Sequence, residues 1–242
     1  MDAEKFYDQC TALVPVRAGS KGLPGKNTRP FAGLPLYERA AQQGARFAKR
    51  CVISTDIDAV LHSEPVAGRT LLPRPAALAG DTVPMDAVIG HVLEALDLHE
   101  GAILLLQATS PLRQERDIAA ACALFRQGGH DLVLSVTRTD PVPLKYGFLD
   151  SESQAFHPVS SPRHCFTNRQ SLPPLYRPNG AVFVFDIAGF RRRRELATDR
   201  IGAVTMSEDD SLDIDTLADF EKAEARLNIR QDPLSDGLAT GA

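Results

Sequence analysis

The chain has 242 residues, of which 43% are hydrophobic and 24% charged, enough for one large domain with a sizeable buried core. Its net charge of −4 leaves no basic excess, so nothing supports an extended nucleic-acid face, and any anion site must come from a local cluster of cations. No apolar run approaches the roughly 18–20 residues that cross a bilayer, and the N-terminus carries Asp2, Glu4, Lys5 and Asp8 where a secretory signal has an apolar core, so a cytoplasmic protein is expected.

Thr11–Val16 (TALVPV) reads as a buried strand that runs straight into a turn-rich loop. Tyr37–Lys49 has helical spacing, and Cys51–Ser54 is a second strand followed by Thr55-Asp56. Val88, Ile89, Val92, Leu93 and Leu96 recur at helical spacing within Pro84–Leu98. Ala102–Gln107 (AILLLQ) is a strongly apolar strand, Glu115–Gln127 a helix and Asp131–Val136 a strand. This alternation over roughly 140 residues predicts βαβ units, hence an α/β fold with a mostly parallel sheet flanked by helices. Ligands of such sheets bind beyond the carboxyl ends of the strands.

From Pro141 to Pro178 prolines are frequent and helical periodicity is missing, which predicts an inserted arm, extended or hairpin-like. Ala181–Phe185 and Gly202–Met206 return to strand pattern, and Asp215–Leu227 predicts a last helix. The remainder, from Asn228, is polar. The expected organisation is one domain over residues 1–230, the arm inserted at about 141–178, and a flexible tail at 231–242. Four dispersed cysteines without a CxxC pair read as reduced thiols, and the six histidines lack a metal-ligand spacing.

The loop at 17–27 reads RAGSKGLPGKN. Its glycines allow close backbone approach and positive φ, and successive N–H groups in such turns cradle anions. Arg17, Lys21 and Lys26 add positive charge, with Ser20, Gly22 and Asn27 between and beside them. The Walker pattern fails at both ends, because Ser20 stands where it needs glycine and Asn27 where it needs Ser or Thr. A dinucleotide GxGxxG also fails after Gly19. What remains is a generic triphosphate cradle.

Near the C-terminus, Ser211–Thr216 reads SLDIDT. If extended, it puts Asp213 and Asp215 on one face, an arrangement suited to Mg²⁺; alternatively Asp215 caps the last helix. Gln107, Thr109 and Ser110 end the most apolar strand, where uncharged hydrogen-bonding groups suit a polyol, and Arg113 reads as a surface residue at a helix start.

Together these blocks resemble the CMP-N-acylneuraminate synthetase family, the cytidylyltransferases that activate sialic acids. The resemblance runs in order through the 17–27 loop, Ser54-Thr55-Asp56, Arg74-Pro75, Asp81-Thr82, the stretch from Leu106 to Arg113, Arg177-Pro178-Asn179-Gly180 and Asp213-Ile-Asp215, over roughly residues 11–227. It implies a Rossmann-like nucleotidyltransferase sheet and Mg²⁺-dependent transfer of CMP from CTP to a sialic-acid-like nonulosonic acid. By the resemblance, Asp213 and Asp215 bind Mg²⁺ and act in catalysis with Arg17 and Lys21. Arg74, Asp81 and Thr82 face the cytidine beside the loop's Ser20, Gly22, Lys26 and Asn27. Gln107, Thr109, Ser110, Arg177 and Asn179 serve the sugar. Lys145 and Arg169 belong to an arm that makes a homodimer and reaches the partner's site. Some relatives place two adjacent phenylalanines at the N-acyl pocket, where this chain has Leu196-Ala197. The alternatives are a Kdo cytidylyltransferase and a non-catalytic nucleotide-binding protein.

Overall fold

A computed structural model describes residues 2–231. The short helix α1 (Ala3–Asp8), capped by the Asp2 carboxylate, leads into β1 (Cys10–Val16). After the 17–27 loop come a minimal hairpin of β2 (Pro30–Phe31) and β3 (Leu34–Pro35), α2 (Leu36–Ala45), β4 (Arg50–Thr55), α3 (Asp58–Leu61) and β5 (Arg69–Pro73). Then follow α4 (Met85–Ala95), β6 (Ala102–Leu106), α5 (Glu115–Arg126) and β7 (Leu132–Thr139). A second hairpin pairs β8 (Gly147–Leu149) with β9 (Phe156–Pro158), and the chain ends on β10 (Leu175–Asp186), α6 (Ile187–Arg193), β11 (Ile201–Met206) and α7 (Leu217–Gln231).

The main sheet has the order β11-β7-β10-β6-β1-β4-β5, with β10 antiparallel to both its neighbours and every other pairing parallel. From β1 the chain builds outward to β4 and β5, then returns to lay β6 on the other side of β1. The direction of winding therefore reverses between β1 and β6, and a crevice opens there beyond the strand ends.

Both faces of the central strands are covered, which is why β6 is apolar at every position rather than alternating. Ala12, Val14, Leu104, Leu106, Val182 and Val184 face one layer, with Ala40 and Ala41 of α2, Ile118 and Ala121 of α5, and Phe220 and Ala223 of α7. Leu13, Ile103, Leu105 and Phe185 face the other, against Ile89, Val92 and Leu93 of α4 and Phe190 of α6. Each fully buried Leu, Ile or Phe contributes about 1.5–3 kcal/mol.

Some boundaries differ from expectation. The helix predicted over 37–49 ends at Ala45, and Arg46 and Phe47 close it by turning back on Gln43 and Gly44. The strand β5 was not predicted, since RTLLP begins with polar residues and forms a half-buried edge. The arm region stops short of Pro178, because Leu175–Pro178 already pairs with Thr139–Val136 as the start of β10. The last helix runs on to Gln231, so Asn228–Gln231 is helical where a polar tail was expected. The rest of that tail lies outside the described residues. Among those residues no helix is long and apolar enough to cross a membrane.

Candidate active site

A cleft of about 520 Å³ lies at the β1–β6 reversal. The 17–27 loop forms one wall, and residues 213–216, just before α7, lie against it. The loop is pinned from several sides. Asp56, at the end of β4, accepts from the Ala18 N–H at 2.9 Å, and the Asn27 amide donates to the Arg17 carbonyl at 3.1 Å. Gly25 takes a left-handed φ of 68°, starting the short turn that buries Lys26 and Asn27. Gly22 serves a different need, because a Cβ there would run into the Asp215 carbonyl oxygen. The loop and the acidic segment are thus in backbone contact, which requires glycine.

The three loop cations do different things. Lys26 is buried, and its Nζ donates to the Ile214 carbonyl at 2.5 Å and to the Asp215 carboxylate at 3.0 Å. Arg17 and Lys21 instead converge on Asp81, Lys21 at 2.7 Å and Arg17 on the other carboxylate oxygen. Lys21 and then Arg17 hold the Asp81 carboxyl below the ordinary range. Asp81 therefore sits with the loop cations, while Thr82 is exposed and does not line the cleft. Ser20 and Gly22 line the cleft beside them.

Arg74 lies buried under the same cleft, donating to the Ser54 carbonyl at 2.7 Å. Burial pushes its pKa down, and the Asp56 charge opposes that shift. Gln107 and Thr109 bring the end of β6 to the cleft. The Thr109 carbonyl accepts from Ile214 N–H at 2.8 Å, and its hydroxyl bonds to Asp213. Thr109 thereby anchors the acidic segment. The Asp213 residue is open to solvent by surface area, yet protein atoms crowd its carboxylate, and this desolvation raises its pKa. The Asp215 charge pushes the same way, and the Thr109 bond opposes.

Asp215 does not cap α7. Thr216 does, in a reciprocal pair with Asp219: the Thr216 N–H donates to the Asp219 carboxylate at 2.9 Å, and the Asp219 N–H returns to the Thr216 hydroxyl at 3.2 Å. That leaves the Asp215 carboxylate to Lys26 and the cleft. Among the described residues no group of three or more His, Cys, Asp or Glu side chains is placed to hold a metal; the carboxylates lining the cleft are those of Asp81, Asp213 and Asp215.

Other expected site residues lie elsewhere. Ser110 is buried. Asn179 is buried too, its amide bound to Ser135 at 2.5 Å and Ser211 at 2.8 Å, so it joins β7 and the β10 bulge to the segment leading to Asp213. Arg177 lines a second cleft with Arg138, Asp140 and Ser207. Lys145 and Arg169 sit in the arm, where Arg169 pairs with Asp140 at 2.7 Å. Leu196 packs against the α4–α6 layer. Arg113, read as a surface residue, is fully buried. Asp56 was visible as a polar strand end but carried no assigned part; its hydrogen bond to the loop supplies one.

The family model described as "Cytidylyltransferase" matches residues 11–225. The N-acylneuraminate cytidylyltransferase of Streptococcus agalactiae serotype V is 30% identical over 212 residues, 86% of this chain and 51% of that protein. The CMP-N,N'-diacetyllegionaminic acid synthase of Legionella pneumophila is 28% identical over 92% of this chain and 98% of that one. The chain thus spans about half the length of the first of these relatives and nearly all of the second. Among solved structures, CMP:2-keto-3-deoxy-manno-octonic acid synthetase complexed with CTP has a TM-score of 0.69 at 14% identity, covering 92% of this chain and 100% of that one, a likeness of fold. With a matched span that takes in every strand of the main sheet from Thr11 onward and both walls of the cleft, the chain belongs to the cytidylyltransferase family.

Proposed function

We propose that this chain transfers CMP from CTP to a sialic-acid-like nonulosonic acid and releases pyrophosphate. The observation that carries the reading is the convergence in one cleft of the 17–27 loop, Arg74, Gln107 and the Asp213–Asp215 pair. A hydroxyl of the sugar displaces pyrophosphate from the α-phosphorus, so one P–O bond forms as another breaks. Arg17 and Lys21 exchange the Asp81 carboxylate for phosphate oxygens and offset the charge of the departing pyrophosphate. Gln107 offers an uncharged amide to the sugar.

Two carboxylates close enough for Asp215 to raise the pKa of Asp213 suit Mg²⁺, a hard cation that takes its other ligands from water and phosphate. Bound there, Mg²⁺ would neutralise phosphate charge. Lys26 holds Asp215 at the cleft edge, and Thr109 holds Asp213.

The arm supports a homodimer. Phe148, Leu149 and Phe166 are 72%, 63% and 91% exposed, which favours a covering second copy that would bring Lys145 and Arg169 to a neighbouring cleft. Four free thiols support work in a reducing compartment such as the cytoplasm.

The test is pyrophosphate release from CTP with N-acetylneuraminate, Kdn, legionaminate, pseudaminate and Kdo. Release with one of the first four supports the reading. Release with Kdo alone favours the Kdo alternative, and no release with any acid would sink both. Replacing Asp213 and Asp215 together by Asn should abolish EDTA-sensitive turnover, and light scattering should report a dimer.

A further inference from the structure

Arg113 is 2% exposed, and its hydrogen bonds go to uncharged acceptors. Taking a guanidinium out of water is costly, and an apolar side chain of similar size would fill such a space at less cost. Burial pushes its pKa down to about 9, so the cation persists at neutral pH. What the arginine does that an apolar residue could not is tie three elements together. Nε and Nη2 donate to the Gln43 amide oxygen of α2 at 3.2 and 2.9 Å, and Gln43 returns a bond to the Arg113 carbonyl at 2.8 Å. Nη1 donates both to the Gln107 carbonyl, just past β6, at 3.2 Å and to the Ala181 carbonyl of β10 at 2.7 Å.

Those two carbonyls lie on the backbone either side of one contact made by the Gln107 side chain, which lines the cleft. Between Pro178 and Phe183 the register of β10 shifts, and Gly180, with φ of 76°, turns its backbone against the Gln107 side chain. A Cβ on Gly180 would lie 3.1 Å from Gln107 Oε1. A single nitrogen behind the cleft therefore fixes the spacing between the backbone that carries Gln107 and the backbone that backs it.

We infer that Arg113 is a positioning residue that sets the Gln107 amide for the acidic sugar, acting through the Gln107 and Ala181 carbonyls without touching substrate. This rests on the reading of Gln107 as part of the sugar subsite. The planar fork is essential to it, because Nη1 serves the two carbonyls while the Nε–Nη2 edge is oriented by Gln43; a lysine supplies one nitrogen and cannot do both.

The experiment measures KM for CTP and for the accepted sugar acid separately in Arg113→Lys, Gln43→Leu and Gln107→Ala. In Arg113→Lys the sugar KM should rise about tenfold or more while the CTP KM stays within about twofold, since a small misplacement of a contact group is costly. Gln43→Leu should shift it the same way by less. If Arg113→Lys does not fold, Gln43→Leu, at a half-buried position, carries the test alone. An unchanged sugar KM in the folded variants, or equal rises in both KM values, overturns the inference if Gln107→Ala raises the sugar KM. If Gln107→Ala has no effect on the sugar KM, the subsite reading fails and the inference falls with it.

Discussion

Lys26 reaches out of the 17–27 loop to Asp215 on the far side of the cleft edge, its Nζ 3.0 Å from the carboxylate and 2.5 Å from the neighbouring Ile214 carbonyl. Its side chain is 10% exposed, against 84% for Lys21. Two lysines of one loop thus have separable parts, Lys26 as a strut and Lys21 as a cation that solvent and ligand can reach.

Lys26→Met should therefore lose stability, because removing a buried charged donor leaves the Ile214 carbonyl without that bond, at a cost of about 1–3 kcal/mol. In a chain of this size that is about 2–12 °C in Tm. Lys21→Met should keep Tm within about 2 °C, since exposed pairs contribute little. Its turnover should fall about a hundredfold through lost charge stabilisation. Thermal unfolding beside pyrophosphate release separates the two, and equal Tm values would contradict the division.

Gly22→Ala tests the contact of the loop with the acidic segment. The clash would be with the Asp215 backbone, which cannot rotate away, so the loop must shift. Overpacking of this kind costs about 1–3 kcal/mol, and the displaced loop should lower turnover as well. Gly19→Ala is the control, since its Cβ would meet Arg17 Nη1 at an ordinary 3.8 Å. Comparable losses in both variants would show that the loop needs glycine for flexibility rather than for this approach.

The capping pair at α7 yields a pH dependence. Bonds from Thr216, side chain first and then backbone, hold the Asp219 carboxyl below its ordinary pKa. A depressed folded-state pKa means stability that is fully present above the unfolded value near 4 and is lost as pH falls through the folded one. Asp219→Asn should lower Tm by a few degrees at pH 7, for a cap loss of about 1 kcal/mol. The gap to the parent protein should narrow as pH falls below the unfolded value and through the depressed folded-state one. A gap that persists in acid would assign the effect to packing.

Much of this was legible from the sequence. The strand–helix alternation located β1, β4 and β6 to within about a residue, and the start of β7 though not its end at Thr139, because parallel strands buried on both faces are continuous apolar runs. Half-buried β5 gives no such run, and the start of β10 is hidden among the prolines before Gly180. At the site, spacing suggested only that Asp213 and Asp215 share a face, and it was the resemblance that implied they act with the 17–27 loop, whose cleft both line. Spacing could not reveal that Asn179 faces Ser135 and Ser211, or that Arg113 is buried. Those placements depend on a register shift in β10 and on contacts between residues 32 to 70 apart in sequence, which no local pattern encodes.

The cysteines give a last prediction, on the arm. Burial pushes the thiols of Cys51 and Cys122 up to about 12 and raises that of Cys10 as well. At pH 8 only on the order of one in ten thousand such thiols is ionised, and the thiolate is the form that alkylates. Cys165, in the arm, is only half buried and donates to the Lys145 carbonyl at 3.7 Å. Iodoacetamide should therefore add one adduct to the native chain, at Cys165, and four in denaturant, as read by intact mass. Further rapid adducts on native protein would show that the sheet and α5 do not protect Cys10, Cys51 and Cys122. If the arm docks on a second copy, the Cys165 rate should also fall as protein concentration rises through the dimerisation range, whereas a concentration-independent rate would leave this face of the arm outside the contact.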